Sequence, residues 1–518
     1  MRPRAYSNLS PKRGWSWETP PPPIREEDIR ESWEADAVII GGGISGLAAG
    51  ARMAQAGLKV IIVDKYKQMM AHAGQISAVN TRVMEEKGFH VNKAQLARDW
   101  MEVSGSRVNE ELLWLFLNRS AEAFEWFTGL AEGCLDIRIY EGCYRGPGFN
   151  EYPATHHIYL KEGCDRYQYT GGGMLACEIL QTEFLNRGGV IHRNTRAEQL
   201  EKDASGRVVG FIARDAEGRC LRYRGTRAVV LATGDIGGDR EMVEAFCPIA
   251  LKTDVNAYYP AGINSGDGHK MAYWAGAAFD DPSWAPTLHY RGYSFFFLHV
   301  NQRGKRFMNE DTWMNAKSIR CLMQPGGDYA WTVMDAKWLE ELGARFKLTG
   351  GQGMIPFQLS NDGMEWDPDC GIREQIESTV NSVDGCKADS LRELAEKMGV
   401  PADALEATAA RYNALCALGE DLDFGKRSEL LTTVEIAPFY AIKWYPALLD
   451  VFGGALTDTR MRVLDPFMEP IPGLYAVGNA AGGFYSVDYP LLLNGNSYGR
   501  ALTWALAITE GILEEGNQ

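Results

Sequence analysis

The chain has 518 residues, 45% of them hydrophobic and 23% charged, with a formal net charge of −15. That length exceeds what one hydrophobic core organises, so two or more domains are expected in an ordinary globular protein. The acidic balance argues against nucleic acid or an anionic membrane surface as partner, because both would be repelled at long range.

The first stretch, Met1-Arg-Pro-Arg-Ala-Tyr-Ser7, is basic but is not followed by an apolar region, so no signal peptide is read there. Residues 1–34 go on through the proline run Thr19-Pro-Pro-Pro-Pro-Ile24 and the charged segment Arg25 to Glu31. Proline fixes φ and donates no ladder hydrogen bond, which predicts an extended arm laid on the surface. Between Ala35 and Asp64, an apolar strand, the turn Gly41-Gly-Gly-Ile-Ser-Gly46, an alanine-rich helix and a second apolar strand follow at the spacing of a dinucleotide-binding βαβ unit. Gly41 suits the tight turn, Gly43 the approach of a pyrophosphate, and Gly46 close packing of helix on sheet. The phosphates would sit at the helix N-terminus, and Asp64 would accept hydrogen bonds from ribose hydroxyls.

Met69 to Ala78 is too polar and glycine-marked for a core strand. Residues 94–132 carry helical apolar spacing, and Thr170-Gly-Gly-Gly-Met174 turns into a helix from Leu175 to Asn186, followed by the strand Val190-Ile-His192. Gly206 to Ala213 and Cys220 to Tyr223 read as two strands joined by a turn, and Ala228 to Leu231 as a buried strand ending at Gly234. From 286 to 440 the pattern changes to mixed segments with glycine-rich breaks such as Thr349-Gly-Gly-Gln-Gly353, then amphipathic helices, one with Leu391, Leu394 and Met398 on one face and the next opening at Val400-Pro-Ala-Asp403. This predicts a smaller domain inserted into the first. The chain returns with the strand and turn Gly473 to Gly478, and Asn494-Gly-Asn-Ser-Tyr-Gly-Arg500 opens a C-terminal helix.

The ten cysteines are scattered with no Cys-x-x-Cys among them. That removes the usual zinc, iron–sulfur and c-type haem signatures, predicts no metal site, and suits a reducing compartment better than a disulfide framework. No apolar run reaches about eighteen residues, so no membrane span is expected and the cytoplasm is the default location.

Five motifs taken in order, Gly41 to Gly46, Ala232-Thr-Gly234, Asn264-Ser-Gly-Asp-Gly-His-Lys-Met-Ala272, Gly304-Lys-Arg-Phe-Met-Asn-Glu310 and Ile471 to Gly478, resemble the fumarate reductase/succinate dehydrogenase flavoprotein superfamily. The likeness is to its soluble branch, nearer to 3-ketosteroid dehydrogenase-like members than to true fumarate reductases. It implies an α/β fold: a Rossmann-like FAD-binding domain (35–285 and 441–518) with an inserted α+β capping domain (286–440) for the substrate, behind the arm at 1–34. It places Gly41, Gly43, Ser45 and Gly46 at the pyrophosphate turn and Asp64 at the adenosine ribose, with Lys65, Ala197, Thr233, Gly234, Asp267 and Gly478 also in the cofactor site. Gly74, Gln75 and Ser77 would line the flavin, Asn479 stands where many relatives have glutamate, and the helix opening at Asn494 to Asn496 would face the flavin C2 carbonyl, where reduced flavin carries negative charge. Gln68, not His72, falls where membrane-bound relatives attach the cofactor, so non-covalent FAD is expected.

Departures from the fumarate pattern bear on the substrate. Trp313-Met-Asn315 stands where fumarate reductases carry the proton-donating arginine, Leu492 where a second arginine clamps a carboxylate, and Leu449-Asp450 where a histidine pair precedes Gly453-Gly454. A dicarboxylate beside Asp450 without those cations would leave charge unpaired, at roughly several kcal/mol. The resemblance therefore implies hydride transfer at flavin N5 to or from a C=C bond in a bulky, largely apolar ring substrate of steroid, flavonoid or phenolic type. Tyr489, Asp450, His289 and Tyr293 are the candidates for handling the proton, Tyr489 because ketosteroid dehydrogenases have a Tyr-Pro at a similar place; Trp313, Met314, Leu491 and Leu492 are candidates for the pocket wall, with plain core packing as the other reading. No second glycine fingerprint and no haem site is present, so electrons come from an external donor or go to an external acceptor. Two alternatives stay open: a reductase of a small unsaturated carboxylate, such as fumarate or urocanate, with a relocated arginine (Arg291, Arg306 or Arg320), and a flavin-binding protein without catalysis.

Overall fold

The computed structural model describes residues 14–72, 74–140, 150–293, 295–349 and 366–516. An eight-stranded sheet runs in the order 462–464, 470–476, 220–231, 29–40, 60–63 and 190–192, with 208–214 paired to 220–231 and 196–202 paired to 208–214. Its centre is parallel, Ala37 to Ile40 pairing with Val60 to Val63 on one side and Ala228 to Leu231 on the other. Helices cover both faces of such a sheet, so these strands are continuous apolar runs and are fully buried. A five-stranded sheet is built on the strand Phe439–Phe452, flanked by Ala285–Gly292 and Ala330–Met334, with Leu298–Val300 and Gly385–Ala388 completing it. The domain boundary expected at 440 falls inside Phe439–Phe452, whose last residues run back toward the first sheet. A three-stranded sheet joins Gln75–Ser77, Thr155–Leu160 and Leu135–Tyr140.

Several local expectations change. The first strand spans Ile29–Ile40 rather than starting at Ala35, because its exposed half pairs with Cys220 to Arg224. The segments expected as two strands at 220–223 and 228–231 are one strand, Cys220–Leu231. Gln75–Ser77 is a short strand despite its polarity, since Thr155 to His157 supply its pairing and the Ser77 N–H donates to the Gly495 carbonyl at 3.0 Å. Gly350 to Gly353 of the glycine-rich break lie outside the described residues, as does Cys143. Pairing of Leu135 with Leu160 brings Cys134 and Cys164 together, and they form a disulfide with Cα atoms 5.6 Å apart, against the reading that the scattered cysteines suit a reducing compartment better than disulfides. Among the described residues, no helix is long and apolar enough to cross a membrane and no group of side chains could hold a metal ion.

The N-terminal arm is more than a surface strap. Trp15 and Trp17 are buried, Trp17 packing edge-on against Tyr273 at 5.4 Å and beside Phe246 at 5.6 Å, while the Gln199 amide donates to the Pro22 carbonyl at 2.6 Å. Trp17→Ala removes a buried indole, an expected cost of about 3–5 kcal/mol to the docking of the arm. The measurement is limited proteolysis, with cleavage in residues 14–28 expected to become rapid while the rest of the chain stays resistant.

Candidate active site

One open cleft of about 2010 Å³, mouth included, runs from the glycine turn to the end of the Phe439–Phe452 strand. At one end the turn is built by backbone contacts. Gly41 adopts φ +109°, and a Cβ there would meet the Ala232 carbonyl oxygen at 2.2 Å; a Cβ on Gly46 would meet the Gly41 oxygen at 1.9 Å. Above Gly43, by contrast, the space is open. The helix Ile44–Gln55 starts there with no side-chain cap, leaving its first N–H groups to an anion. Asp64 accepts the N–H groups of Gly42 and Tyr66, each at 2.6 Å, which fixes its carboxylate at the end of the second strand. Lys65 and Arg196 flank Asp267 at 2.9 and 2.7 Å; burial opposes its ionisation, but the two cations outweigh burial and hold it at about 2.

At the other end, the C-terminal helix Asn496–Glu515 also opens without a side-chain cap, its preceding Gly495 in the left-handed region. Asn494, Gly495, Ser497 and Tyr498 of this opening line the cleft. Tyr489 stacks on Phe452 with ring centroids 4.7 Å apart, and its oxygen accepts the Ser497 N–H at 3.4 Å. Burial, with Tyr485 alongside, holds the Tyr489 phenol well above its ordinary range, which keeps it neutral. Burial pushes His289 down to about 4, leaving a neutral imidazole. The Asn479 amide donates to Asp450 at 3.3 Å and accepts from the buried Arg500 at 2.7 Å.

The cleft wall contains Gly41, Gly43, Ser45, Asp64, Lys65, Gln75, Ala197, Thr233, Gly234, Asp267, Asn479 and Asn494, and, further along, His289, Met314, Asp450, Tyr489 and Leu491. The remaining expected site residues do not line it. Gly46 lies beneath Gly41, Gly74 against Gly172, Gly478 against Ser45, and Ser77 below Gly495. Asn496 is buried, accepting from the Tyr485 hydroxyl and donating to the Pro490 and Leu493 carbonyls. Trp313 and Leu492 belong to the main apolar core. Tyr293 stacks on Phe295 in a separate apolar cluster, and its hydroxyl donates to Gln375. His72 is a wall residue that the sequence singled out only to set aside; its backbone is held by the Tyr498 hydroxyl. Asp235, Thr287, Phe452 and Arg500 were not anticipated. The available signals were a carboxylate directly after the buried Ala232-Thr-Gly234 turn and an arginine in an otherwise apolar helix.

The fit to FAD rests on the open space at Gly43, two uncapped helix N-termini facing the same cleft, and the buried hydroxyls of Thr233 and Thr287, which have no partner among the described residues. The profile of the FAD binding domain family matches residues 36–496. The chain belongs to that family. This flavoprotein is 26% identical over 493 residues to a fumarate reductase (cytochrome) of Shewanella frigidimarina, covering 90% of this chain and 75% of the relative. It is 26% identical over 500 residues to a vinyl phenol reductase of Lactiplantibacillus plantarum, covering 90% and 94%. Its fold matches the crystal structure of a 3-ketosteroid-delta4-(5alpha)-dehydrogenase from Rhodococcus jostii RHA1 with TM-score 0.69 and 23% identity over 99% of both chains. The protein is thus an FAD-dependent oxidoreductase of the superfamily that its motifs resemble.

Proposed function

We propose that this flavoprotein reduces, or in reverse introduces, a C=C bond conjugated to an oxygen substituent in a bulky, largely apolar ring substrate. One observation carries the reading: Thr287, His289, Met314, Leu449, Asp450, Phe452, Tyr489 and Leu491 wall the cleft beyond Asn479, and no lysine or arginine is among the described residues there. The buried Arg500 lies behind Phe452 and donates to Asn479, so an anionic substrate meets no cation among the described lining residues, whereas a ring system meets Met314, Phe452 and Leu491. The relative named for vinyl phenol reduction supports such a substrate.

FAD, when bound, supplies the two-electron hydride chemistry at its N5. Tyr489 donates its hydroxyl hydrogen to the substrate oxygen and so polarises the conjugated bond, with Phe452 fixing its ring. The open N-terminus of the helix Asn496–Glu515 favours the negative charge of a reduced cofactor. Electrons reach the protein from, or leave it to, an external partner. The fumarate relative keeps the small-carboxylate alternative in view, but that alternative needs a cation at this end. Arg306 is bound to Glu310 and Asp421, Arg320 donates to the Asn309 carbonyl, and the Arg291 side chain lies outside the described residues.

The test is rapid mixing of the photoreduced protein with cyclic and steroid enones, vinyl phenols, fumarate and urocanate. Flavin reoxidation by an apolar ring substrate is expected, and reoxidation by fumarate or urocanate alone overturns the proposal. Tyr489→Phe is expected to lower that single-turnover rate by about 10²–10³, the loss of one donor aimed at developing negative charge, with little change in ring binding.

A further inference from the structure

Asn315 is the second residue of the helix Met314–Leu322, and its side chain is fully buried. A buried amide left without partners costs about 1–3 kcal/mol, so its hydrogen bonds show what holds it there. Its Oδ1 accepts the Leu288 N–H at 2.7 Å, and its Nδ2 donates to Asp488 Oδ1. The same Asp488 oxygen accepts the Tyr489 N–H at 2.8 Å. One turn further along the helix, the buried Ser318 hydroxyl donates to the His289 carbonyl at 2.9 Å. Burial lifts the Asp488 carboxyl to about 6 against the pull of these two N–H donors, so it is ionised at pH 7 and serves as an acceptor. Neither Asn315 nor Asp488 lines the cleft, yet each adjoins residues that do. Met314 precedes Asn315, Tyr489 follows Asp488, and Thr287 and His289 flank Leu288 on the strand Ala285–Gly292. Pro490 narrows the backbone conformations of Tyr489 from its other side, and the tyrosine ring stacks on Phe452 at 4.7 Å.

We infer that Asn315 and Asp488 are positioning residues for the proposed reaction: through one shared carboxylate oxygen they lock the Tyr489 backbone to the strand that carries Thr287 and His289. The phenol donor and the ring pocket then keep one fixed geometry. This deepens the proposed function and rests on it for the role of Tyr489. A phenol oxygen stands far from its own Cα, so a backbone tilt of about 10° moves it by about 1 Å, and a misplacement of that size costs up to about a hundredfold in rate. Ring binding depends instead on Met314, Phe452 and Leu491, which the pair does not touch. The asparagine of Trp313-Met-Asn315, a segment that departs from the fumarate pattern, thus acts without meeting substrate.

The experiment has two arms on the holoenzyme. In the first, the photoreduced protein is mixed with a ring substrate that reoxidises wild type, and the limiting rate and half-saturating concentration are read separately. Asp488→Ala is expected to lower the limiting rate by about 10–100-fold while the half-saturating concentration changes by less than about threefold. Asp488→Asn keeps an acceptor oxygen for both N–H groups without the charge, and is expected to recover the limiting rate to within about threefold of wild type. A wild-type limiting rate in Asp488→Ala overturns the positioning role. So does an Asp488→Asn rate as low as that of Asp488→Ala, which would make the ionised carboxylate itself the working group. An equal loss of rate and of ring affinity overturns it too, since loosened packing alone produces that. The second arm needs no substrate. Melting temperatures of Asn315→Ala, Asp488→Ala and the double variant form a cycle, and Asp488→Ala is expected to lower the melting temperature less in the Asn315→Ala background than in wild type. Additive shifts overturn the pairing. If Asn315→Ala does not fold, the comparison of Asp488→Ala with Asp488→Asn decides. Failure of every ring substrate to reoxidise wild type overturns the functional reading and the positioning role together, while the cycle still decides whether the two side chains are paired.

Discussion

Gly43→Asp is expected to fold and to lose FAD, whereas Gly46→Val is expected not to reach a stable fold. The two glycines lie three residues apart in one turn but meet opposite surroundings. Gly43 has φ −80° and ψ −172°, which any residue adopts, and a Cβ there meets nothing within 4 Å. Aspartate is moreover a good N-cap, so the helix Ile44–Gln55 gains a partner for its free N–H groups. That same carboxylate occupies the anion site and repels a pyrophosphate. A like-charge juxtaposition of about 3 kcal/mol corresponds to roughly two orders of magnitude in flavin affinity. At Gly46 the added atom would sit 1.9 Å from the Gly41 oxygen and 3.3 Å from the Ala232 Cβ, so helix and sheet must separate. Flavin absorbance after desalting, set beside the melting temperature of the apoprotein, distinguishes the two. A Gly43→Asp protein that retains flavin at wild-type level places the phosphates elsewhere.

Arg306→Met is the second large effect, and it falls on stability rather than on substrate binding. The guanidinium makes bidentate contacts to Glu310 (2.9 and 2.8 Å) and to Asp421 (2.9 and 2.8 Å), and both carboxylates are fully buried. Tyr412 and Phe424 lie 4.8 and 5.0 Å from it. Removing it leaves Glu310 with Lys426, 3.4 Å away, and Asp421 with backbone N–H donors alone. Breaking a buried pair in this way costs about 3–5 kcal/mol, read as a lower denaturant midpoint. The pH dependence has a definite sign. Burial opposes ionisation, but Arg306 and its neighbours hold Asp421 at about 2 and Glu310 below its usual range. Their contribution is therefore present above the unfolded carboxylate range and is lost as pH falls through the folded values. In the variant both groups prefer to be neutral, so its deficit should be largest near pH 7 and shrink toward pH 4. Arg306→Lys, with one point donor for two forks, is expected to fall between. A normally stable Arg306→Met protein that has lost fumarate-dependent reoxidation overturns the structural role and favours the relocated-arginine alternative.

The glycine turn assigned to the cofactor was legible in the sequence because its parts are local. Glycine spacing, strand, helix and Asp64 lie within one βαβ unit, and the Gly42 N–H to Asp64 contact closes it over 22 residues. Positions such as Gly74, Ser77, Gly478 and Asn496 belong to the same motifs but sit one layer behind the wall, because close backbone packing there leaves no room for a ligand. The substrate end was legible only as a set of departures from a family pattern. Trp313 and Leu492 are as apolar as Met314 and Leu491, and composition alone does not say which of them turn toward the cleft.

By itself, then, the sequence determined the fold class and the FAD cofactor, through the glycine turn and the order of motifs that resemble one family, and it marked where the chain departs from that family's pattern. Only the tertiary structure decided which charges are already spent. Arg306 is claimed by Asp421 from beyond the end of a distant helix, and Asn479 joins Asp450 to the buried Arg500. Such pairings depend on where two remote backbones converge, and neither local propensity nor motif spacing encodes that distance.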